Sequence, residues 1–194
     1  MIATKPRAAS KKATGRRWTF EELAAELPES NLPTELWDGE LTMSPAPSFF
    51  HQEIVARFYK LRDAWVRQHR LGKTGLAPLD MVLAPRRSVQ PDVVFISTAR
   101  LGIIQDRIMG AADLVAEVIS PESRRRDRFD KRDLYEQHGV REYWLLDPEA
   151  QTVEVFHLQA GEYELVGRWR PGEQARSRLL KGFSVAVAGL FGEG

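Results

Sequence analysis

The sequence contains no cysteine, no long apolar run and no acidic residue among residues 1–17. The absence of cysteine excludes disulfides, thiolate metal sites and cysteine nucleophiles, and it is typical of a reducing compartment. We therefore expect a cytoplasmic protein. No apolar run approaches the roughly 18 residues of a membrane span, and residues 1–17 lack the apolar segment of a secretory signal, so no membrane association is expected.

Charge is distributed unevenly along the chain. Six of the 28 lysine and arginine residues, and none of the 27 acidic residues, lie in residues 1–17. This segment is rich in small and basic residues without periodicity, which predicts a disordered basic tail followed by one domain over residues 18–194. The domain is net acidic and lacks the overall basic surface of a strong DNA-binding protein, so any contact with nucleic acid must be local.

Turn and cap signals divide the domain into helices and strands. Thr19–Glu22 has the pattern of a capping box, and Asp38-Gly39 between alternating apolar residues predicts a hairpin turn. Apolar residues at helical spacing predict a long helix over residues 48–69, and a polar helix over 123–138 ends at Gly139. The predicted strands are "APLDMVLA", "PDVVFIS", "DLVAEVIS", "EYWLLD", "TVEVFHL" and "EYELVGRW", and "FSVAVAGLF" is a final strand or short helix. This order predicts an α/β (α+β) domain with a mixed sheet flanked by helices.

Three acidic residues lie at the predicted strands. Glu40 begins the second hairpin strand, Asp92 precedes "VVFIS", and Glu117 interrupts the apolar run "LVAEVIS". If these strands are neighbours, the carboxylates converge, and a divalent cation would relieve their repulsion. Ligation by oxygen atoms alone is typical of Mg²⁺. Each acid also has a structural alternative: a turn cap for Asp92, a solvent-facing position for Glu40, and an ion pair in the core for Glu117.

The helix that follows Glu117 is strongly basic. Asp127, Lys131 and Tyr135 are spaced four residues apart and share one helix face, from which Lys131 could reach Glu117. A cation beside two acids suits phosphodiester hydrolysis, which needs a metal and a positive group near the attacking water or the transition state. The alternative is a solvated charged helix. Four further cations are too many for one salt bridge and are predicted to contact phosphates: Arg124, Arg125, Arg126 and Arg128.

The sequence lacks the motifs of nucleotide-driven motors and of serine hydrolases. There is no phosphate-binding "GxxxxGK" loop and no "GxSxG" nucleophile turn. His69, His138 and His157 lie on separate predicted elements without the spacing of metal ligands.

The ordered motifs carry a family resemblance. The stretches "ELWDGEL", "QPDVVFIS", "DLVAEVISPES" and "GVREYWLLDP" resemble the Uma-type family of restriction-endonuclease-like proteins, within the wider PD-(D/E)xK nuclease superfamily. The resemblance extends over about residues 18 to 192. It implies a restriction-endonuclease-like fold, a Mg²⁺-dependent (or Mn²⁺-dependent) endodeoxyribonuclease activity, and DNA as the partner. An enzyme that cuts both strands would often use a homodimer, and nothing in the sequence fixes a symmetry.

The resemblance also assigns roles to residues. It implies that Asp92 and Glu117 are catalytic metal ligands. Ile119 occupies the usual position of the superfamily lysine, and the resemblance places that lysine at Lys131. Glu40 would be an additional catalytic acid, with Glu53 as its rival. The residues expected to support these groups are His51, Asp127 and Tyr135. The alternative function is a nuclease-fold module that binds nucleic acid or assembles without catalysis.

Overall fold

The computed structural model describes residues 16–26, 34–121 and 123–192. The predicted basic tail lies outside the described residues except for its last two members. Arg16 forms an ion pair with Glu26 at 2.7 Å, and Arg17 donates a hydrogen bond to the carbonyl oxygen of Asp38 at 3.0 Å. These two arginines therefore contact the domain, although they had been assigned to the tail.

The helices vary widely in length. In chain order they are α1 (Phe20–Glu26), α2 (Phe49–Gln68), a 3-10 helix (Thr98–Ile103), a π-helix (Arg126–Lys131), α3 (Arg132–Gln137) and α4 (Val187–Phe191). None of the helices in the described part of the chain combines the length and apolar character that a membrane crossing needs.

Within the described ranges, the strands form three sheets. They are β1 (Thr34–Trp37), β2 (Glu40–Met43), β3 (Gly72–Leu76), β4 (Met81–Ala84), β5 (Arg87–Val89), β6 (Val93–Ser97), β7 (Ile108–Met109), β8 (Leu114–Val118), β9 (Glu142–Asp147), β10 (Thr152–Gln159), β11 (Glu162–Trp169), β12 (Gln174–Arg176) and β13 (Ser184–Ala186). The central sheet has the order β11-β10-β9-β8-β6-β3 and is mixed, because β8 and β9 are parallel while the other neighbours are antiparallel. The predicted mixed α/β fold is confirmed.

The two faces of the central sheet have different covers. Alternate residues of a strand point to opposite faces. Leu114, Ala116 and Val118 of β8 belong to a core that includes helix α2, whereas Val115 and Ile119 belong to a second core with Leu134 and Tyr135 of α3. Glu117 has the same parity as Val115 and Ile119, so its side chain enters the second core.

The second core is closed by a second sheet, of order β2-β1-β5-β4-β7. Met81 of β4 and Val89 of β5 pack on this side of the central sheet. The β1–β2 hairpin belongs to this second sheet, so the assumption that Glu40 lies on a neighbour of the Asp92 and Glu117 strands is wrong. Strands β6 and β8 are neighbours as predicted, with Val93 opposite Ala116.

Local signals in the sequence predicted several elements accurately. Thr19 N–H donates to Glu22 Oε2 at 2.8 Å and Glu22 N–H donates to Thr19 Oγ1 at 3.2 Å, which is the reciprocal pattern of a capping box. Asp38 and Gly39 both have positive φ angles, of 49° and 86°, as a type I′ hairpin turn requires. Gly139 ends α3 with a φ of 79°.

Two predictions about elements needed correction. The helix predicted over residues 123–138 is interrupted, because residues 126–131 form a π-helix before α3 begins. The final segment is neither a strand nor a helix alone, since β13 is followed directly by α4. Strands β3 and β5 were not predicted, because their short sequences "GKTGL" and "RSV" show no apolar alternation.

Candidate active site

Glu117 lies at the centre of a buried polar cluster. The residue is 3% exposed. Glu117 Oε1 accepts hydrogen bonds from Lys131 Nζ at 2.9 Å and from the Tyr135 hydroxyl at 2.5 Å. Lys131 and Tyr135 therefore lie on the face of the helical segment that points at Glu117, as their spacing predicted. These two donors compensate a carboxylate that would otherwise be costly to bury.

Lys131 is surrounded by acidic side chains. Its Nζ atom lies 2.9 Å from Glu117 Oε1, 3.0 Å from Glu35 Oε1 and 3.9 Å from Asp127 Oδ1. Burial lowers the pKa of Lys131, but Glu117, Glu35 and Asp127 outweigh that effect and raise the pKa above its ordinary value. The side chain is therefore a buried ammonium ion held by three carboxyl groups.

The π-helix contributes to this arrangement. The Tyr143 hydroxyl donates a hydrogen bond of 2.9 Å to the carbonyl oxygen of Asp127, which lies inside the π-helix. This helix places both Asp127 and Lys131 in the interior, where they are 2% and 5% exposed. π-Helical insertions occur frequently at functional sites in proteins.

Asp92 is attached to the adjacent edge of the cluster. The backbone N–H of Val118 donates to Asp92 Oδ2 at 2.7 Å, and His51 Nε2 lies 3.3 Å from the same oxygen. His51 Nε2 also lies 3.0 Å from the carbonyl oxygen of Val118. Burial lowers the pKa of His51, but Asp92 and the Val118 carbonyl raise it above the ordinary value. His51 thus bridges helix α2 to the end of β8.

The cluster strongly perturbs Glu117. Burial raises its pKa to about 8, assisted by the charges of Asp92 and Asp127 and opposed by Lys131. The pKa of Asp127 is also raised, chiefly by burial. Val93 lies opposite Ala116 in the antiparallel pairing of β6 and β8, so Asp92, one residue before Val93, lies beside Glu117. Both residues also have the parity that points to the same face of the central sheet.

The hairpin supplies Glu35 to this cluster, and not Glu40. Glu35 is 5% exposed, and besides Lys131 it contacts Arg126 at 3.7 Å. Burial opposes ionisation of Glu35, but Lys131 and Arg126 outweigh it and hold its pKa below the usual value. Glu40 is exposed. Within residues 16–26, 34–121 and 123–192, no hydrogen bond or ion pair links Glu40 to the cluster.

Sequence reasoning missed Glu35 although a signal was available. Thr34–Trp37 is a strand in which a carboxylate occurs beside Leu36, and both residues are buried. That juxtaposition resembles Glu117 within its own apolar strand. Glu53, the other candidate, lies on helix α2 and forms an ion pair with Arg57 at 3.2 Å.

Most of the predicted phosphate-binding arginines contact acidic residues of the protein. Arg124 contacts Asp147 at 2.9 Å and Glu149 at 2.5 Å. Arg128 joins Asp147 at 2.8 Å to Glu154 at 2.7 Å. Arg124 and Arg128 therefore have acidic partners within the protein, because strands β9 and β10 supply buried acids to them.

The other two arginines are placed differently. Arg126 donates to Ser44 Oγ at 3.0 Å, and its Nε atom is buried without a partner in the described structure. Arg125 is exposed, and no ion pair or hydrogen bond joins its side chain to another residue of the described ranges. Arg125 is thus the arginine most available to an external phosphate.

The carboxylate oxygens of the cluster are chemically suited to a hard divalent cation, but they do not form a complete set of ligands. Asp92 and Glu117 offer carboxylate oxygens from neighbouring strands, and Mg²⁺ completes such a set with water. No group of three or more histidine or acidic residues in the described ranges is arranged to hold a metal. The protein donors contact Glu117 through Oε1 and Asp92 through Oδ2, so the second oxygen of each carboxyl group remains for a cation.

The two glutamates of the hairpin allow a matched prediction. We expect Glu35→Gln to lower the free energy of unfolding by about 1–3 kcal/mol, because Lys131 and Arg126 lose a buried ionised partner. Urea denaturation at pH 7 measures this change. Glu40→Gln should remain within about 0.5 kcal/mol of wild type because Glu40 is exposed. Equal stabilities of the two variants would refute a role for Glu35 in the cluster.

Comparisons with known proteins agree with this architecture. Residues 19–188 match the model of the Uma2 family, which is described as "Putative restriction endonuclease". A comparison with curated proteins gave no match.

Among solved structures, a crystal structure described as a "putative nuclease" from Anabaena variabilis has a TM-score of 0.75 and 22% sequence identity, and the similarity covers 89% of this chain and 97% of the other. At this level of identity, the similarity shows a shared fold.

Proposed function

The chain belongs to the Uma2 family of restriction-endonuclease-like proteins, and from this premise we propose that it hydrolyses phosphodiester bonds of DNA with Mg²⁺ or Mn²⁺ at the cluster around Glu117. The observation that carries the proposal is that Lys131 Nζ contacts Glu117 Oε1 while Asp92 Oδ2 accepts from the N–H of the next residue, Val118, which brings the three side chains together from separate elements. Carboxylates with strongly perturbed pKa values beside a buried cation are typical of catalytic sites.

Two acids and one cation are the parts that this reaction needs. Asp92 and Glu117 would hold the metal ion. When bound, the ion would supply Lewis acidity toward the phosphate and an activated water. Lys131 would stabilise the negative charge that develops on the phosphoryl oxygens or orient the attacking water, and its ammonium is already positioned without reorganisation.

Neighbouring residues would maintain this arrangement. The Tyr135 hydroxyl and Lys131 both hold Glu117 Oε1, which fixes the orientation of its carboxyl group. His51 and the Val118 N–H together hold Asp92 Oδ2. Glu35 binds Lys131 from the second sheet, so the position of the ammonium depends on packing between the two sheets.

A second function, a non-catalytic binding or assembly module, is favoured by one specific observation. Glu117 and Asp92 are already satisfied by protein donors, as a purely structural polar cluster would be. Calorimetric titration with Mg²⁺ discriminates the two functions. The nuclease should bind the ion and Asp92→Ala should not, whereas heat signals that are absent from both proteins would favour the module.

Cleavage assays test the activity itself. Supercoiled plasmid, linear duplex and single-stranded DNA, and RNA of matched sequence should be incubated with Mg²⁺, with Mn²⁺ and with EDTA. We expect metal-dependent cleavage of DNA that EDTA abolishes. Cleavage of RNA alone would correct the proposed substrate, and cleavage that persists unchanged in EDTA would refute the metal requirement.

Substitutions of Arg124 and Arg125 should affect the salt dependence of DNA binding differently. Each phosphate contact contributes about 0.9 to the slope of log K against log salt concentration for duplex DNA. Arg125→Gln should reduce the magnitude of this slope by about 0.9, the value of one phosphate contact. Its guanidinium has no acidic partner in the described structure and is therefore available to a phosphate. Binding should be measured by fluorescence anisotropy over a series of NaCl concentrations.

Arg124→Gln is the matched control for this measurement. Arg124 is engaged by Asp147 and Glu149, so its loss should lower stability and leave the salt slope nearly unchanged. If Arg125→Gln retains the wild-type slope, Arg125 is a solvated surface residue and not a phosphate contact.

A further inference from the structure

Residues 44–50, here called the rim loop, comprise the connection from β2 to α2 and the first two residues of α2, and they follow one edge of the cluster. At its start, Ser44 Oγ accepts a hydrogen bond of 3.0 Å from Arg126 Nη2. Directly after its end, His51 contacts Asp92 Oδ2 at 3.3 Å. Arg126 precedes Asp127 in the chain, and Asp92 lies beside Glu117 in space. The contacts of Ser44 and His51 therefore join both ends of the rim loop to the candidate active site.

The rim loop presents aromatic side chains to solvent. Residues 45–50 are all exposed, and Phe49 and Phe50 have exposed fractions of 82% and 45%. Single exposed apolar residues are ordinary on protein surfaces. Two consecutive aromatic rings beside a buried catalytic cluster are a more specific feature, since exposed apolar patches often mark binding sites.

The backbone of the rim loop is held in place before any ligand arrives. Pro45 and Pro47 restrict the φ angle of the backbone. Ser48 caps helix α2, and its side chain accepts a hydrogen bond from the His51 N–H at 3.2 Å. A ring carried by such a preset backbone loses little conformational entropy when it binds a partner.

Cationic groups lie near the other end of the rim loop. Arg126 contacts Ser44, and the adjacent Arg125 is exposed without a described acidic partner. Aromatic rings at one end of the rim loop and cations at the other are complementary to a nucleic-acid strand, in which bases have π faces and phosphates are negative. A purely apolar partner would complement only one of these two features.

We propose that the rim loop is a binding site for an unpaired nucleobase, which stacks on Phe49 beside the phosphate that the candidate active site holds. This inference rests on the proposed nuclease function and extends it to the conformation of the substrate. Stacking on an aromatic ring tolerates any base sequence, because every base has a π face. The site would therefore favour single-stranded or locally opened DNA without selecting a sequence.

Binding to a fluorescent oligonucleotide tests the proposal. The probe is a single-stranded DNA that contains 2-aminopurine, titrated in EDTA so that hydrolysis does not contribute. Wild type should quench the 2-aminopurine signal, and Phe49→Ala should bind about tenfold more weakly with less quenching. Phe49→Trp should restore both properties. The unlabelled duplex of the same sequence should be affected less by the substitution.

Phe129 provides a matched control of the same residue type. It is 54% exposed and lies two residues from both Asp127 and Lys131, whose side chains point inward, so its ring points away from the cluster. Phe129→Ala should bind the probe like wild type. Equal binding by Phe49→Ala and Phe129→Ala would overturn the proposal, as would the absence of single-strand binding by wild type.

Two further outcomes separate this proposal from its alternatives. If sedimentation shows a wild-type dimer that Phe49→Ala converts to monomer, the aromatic surface binds a second copy of the chain, and base stacking is refuted. If wild type cleaves DNA with Mg²⁺ but Phe49→Ala binds and cleaves equally well, the nuclease function stands and the stacking site fails. If wild type does not cleave but its binding depends on Phe49, the stacking site stands and the nuclease function fails.

Discussion

Lys131→Ala should slow metal-dependent DNA cleavage by about a hundredfold or more, the effect of removing one preorganised electrostatic group from an active site. The ammonium lies 2.9 Å from Glu117 and 3.0 Å from Glu35, and it would act mainly on charge that appears in the transition state. Its loss should therefore reduce the cleavage rate more than DNA affinity. Single-turnover cleavage and anisotropy binding, measured on the same preparation, separate the two effects.

Stability must be measured alongside this variant. Removing Lys131 leaves buried carboxyl groups without their cation, and breaking a buried ion pair in this way costs about 3–5 kcal/mol. Circular dichroism should establish a temperature at which the variant is folded before rates are compared. Lys131→Arg should keep the charge and more of the stability, yet restore cleavage incompletely because the planar guanidinium is larger than an ammonium.

Arg132→Ala is the control for Lys131→Ala. Arg132 is the next residue, about 100° around the helix axis, and it contacts Asp133 at 3.3 Å outside the cluster. We expect Arg132→Ala to cleave like wild type. If both variants cleave at the wild-type rate while folded, Lys131 has no catalytic role.

Glu117→Gln should abolish measurable Mg²⁺ binding and lower cleavage by more than about a hundredfold, because a neutral amide is a poor ligand for a hard cation. The amide oxygen can still accept hydrogen bonds from Lys131 and Tyr135, so the substitution removes the ability to ionise and preserves the shape of the cluster. Isothermal titration calorimetry and plasmid cleavage measure the two losses. Glu53→Gln should change neither, because Glu53 contacts Arg57 on α2 and not the cluster.

The raised pKa of Glu117 adds a dependence on pH. In the folded protein without metal, burial raises this pKa to about 8, so the carboxyl group is protonated at neutral pH. Mg²⁺ must displace that proton, and its affinity should rise as the pH increases through about 8. Calorimetry in buffers of different ionisation enthalpy should detect the released proton. A metal affinity that is constant between pH 6 and 9 would contradict this assignment.

The same pKa predicts how stability responds to pH. A carboxyl group whose pKa is raised on folding binds more protons in the folded state, so its stabilising contribution is lost as the pH rises through the folded value of about 8. Metal-free wild type should therefore lose stability as the pH rises from the ordinary pKa of 4.5 to about 8. Glu117→Gln should lose less, because an amide does not titrate. Urea denaturation from pH 5 to pH 9 compares the two slopes.

The sequence alone determined features that depend on near neighbours in the chain. The Thr19–Glu22 capping box and the Asp38-Gly39 turn were predictable because each is a local hydrogen-bonding or backbone requirement. The approach of Lys131 and Tyr135 to Glu117 was also predictable. A four-residue spacing places side chains on nearly the same face of an α-helix or a π-helix. Because that face is buried here, both side chains meet Glu117.

The tertiary structure alone decided which distant charges meet. Glu35 and Glu40 lie five residues apart on one hairpin, and only the packing of the second sheet against the central sheet buries Glu35 beside Lys131. Likewise, Arg124 and Arg128 resembled free phosphate ligands until β9 and β10 placed Asp147 and Glu154 against them. Local periodicity predicts which face of an element is apolar. The partner of a buried charge depends on contacts between strands that are distant in sequence.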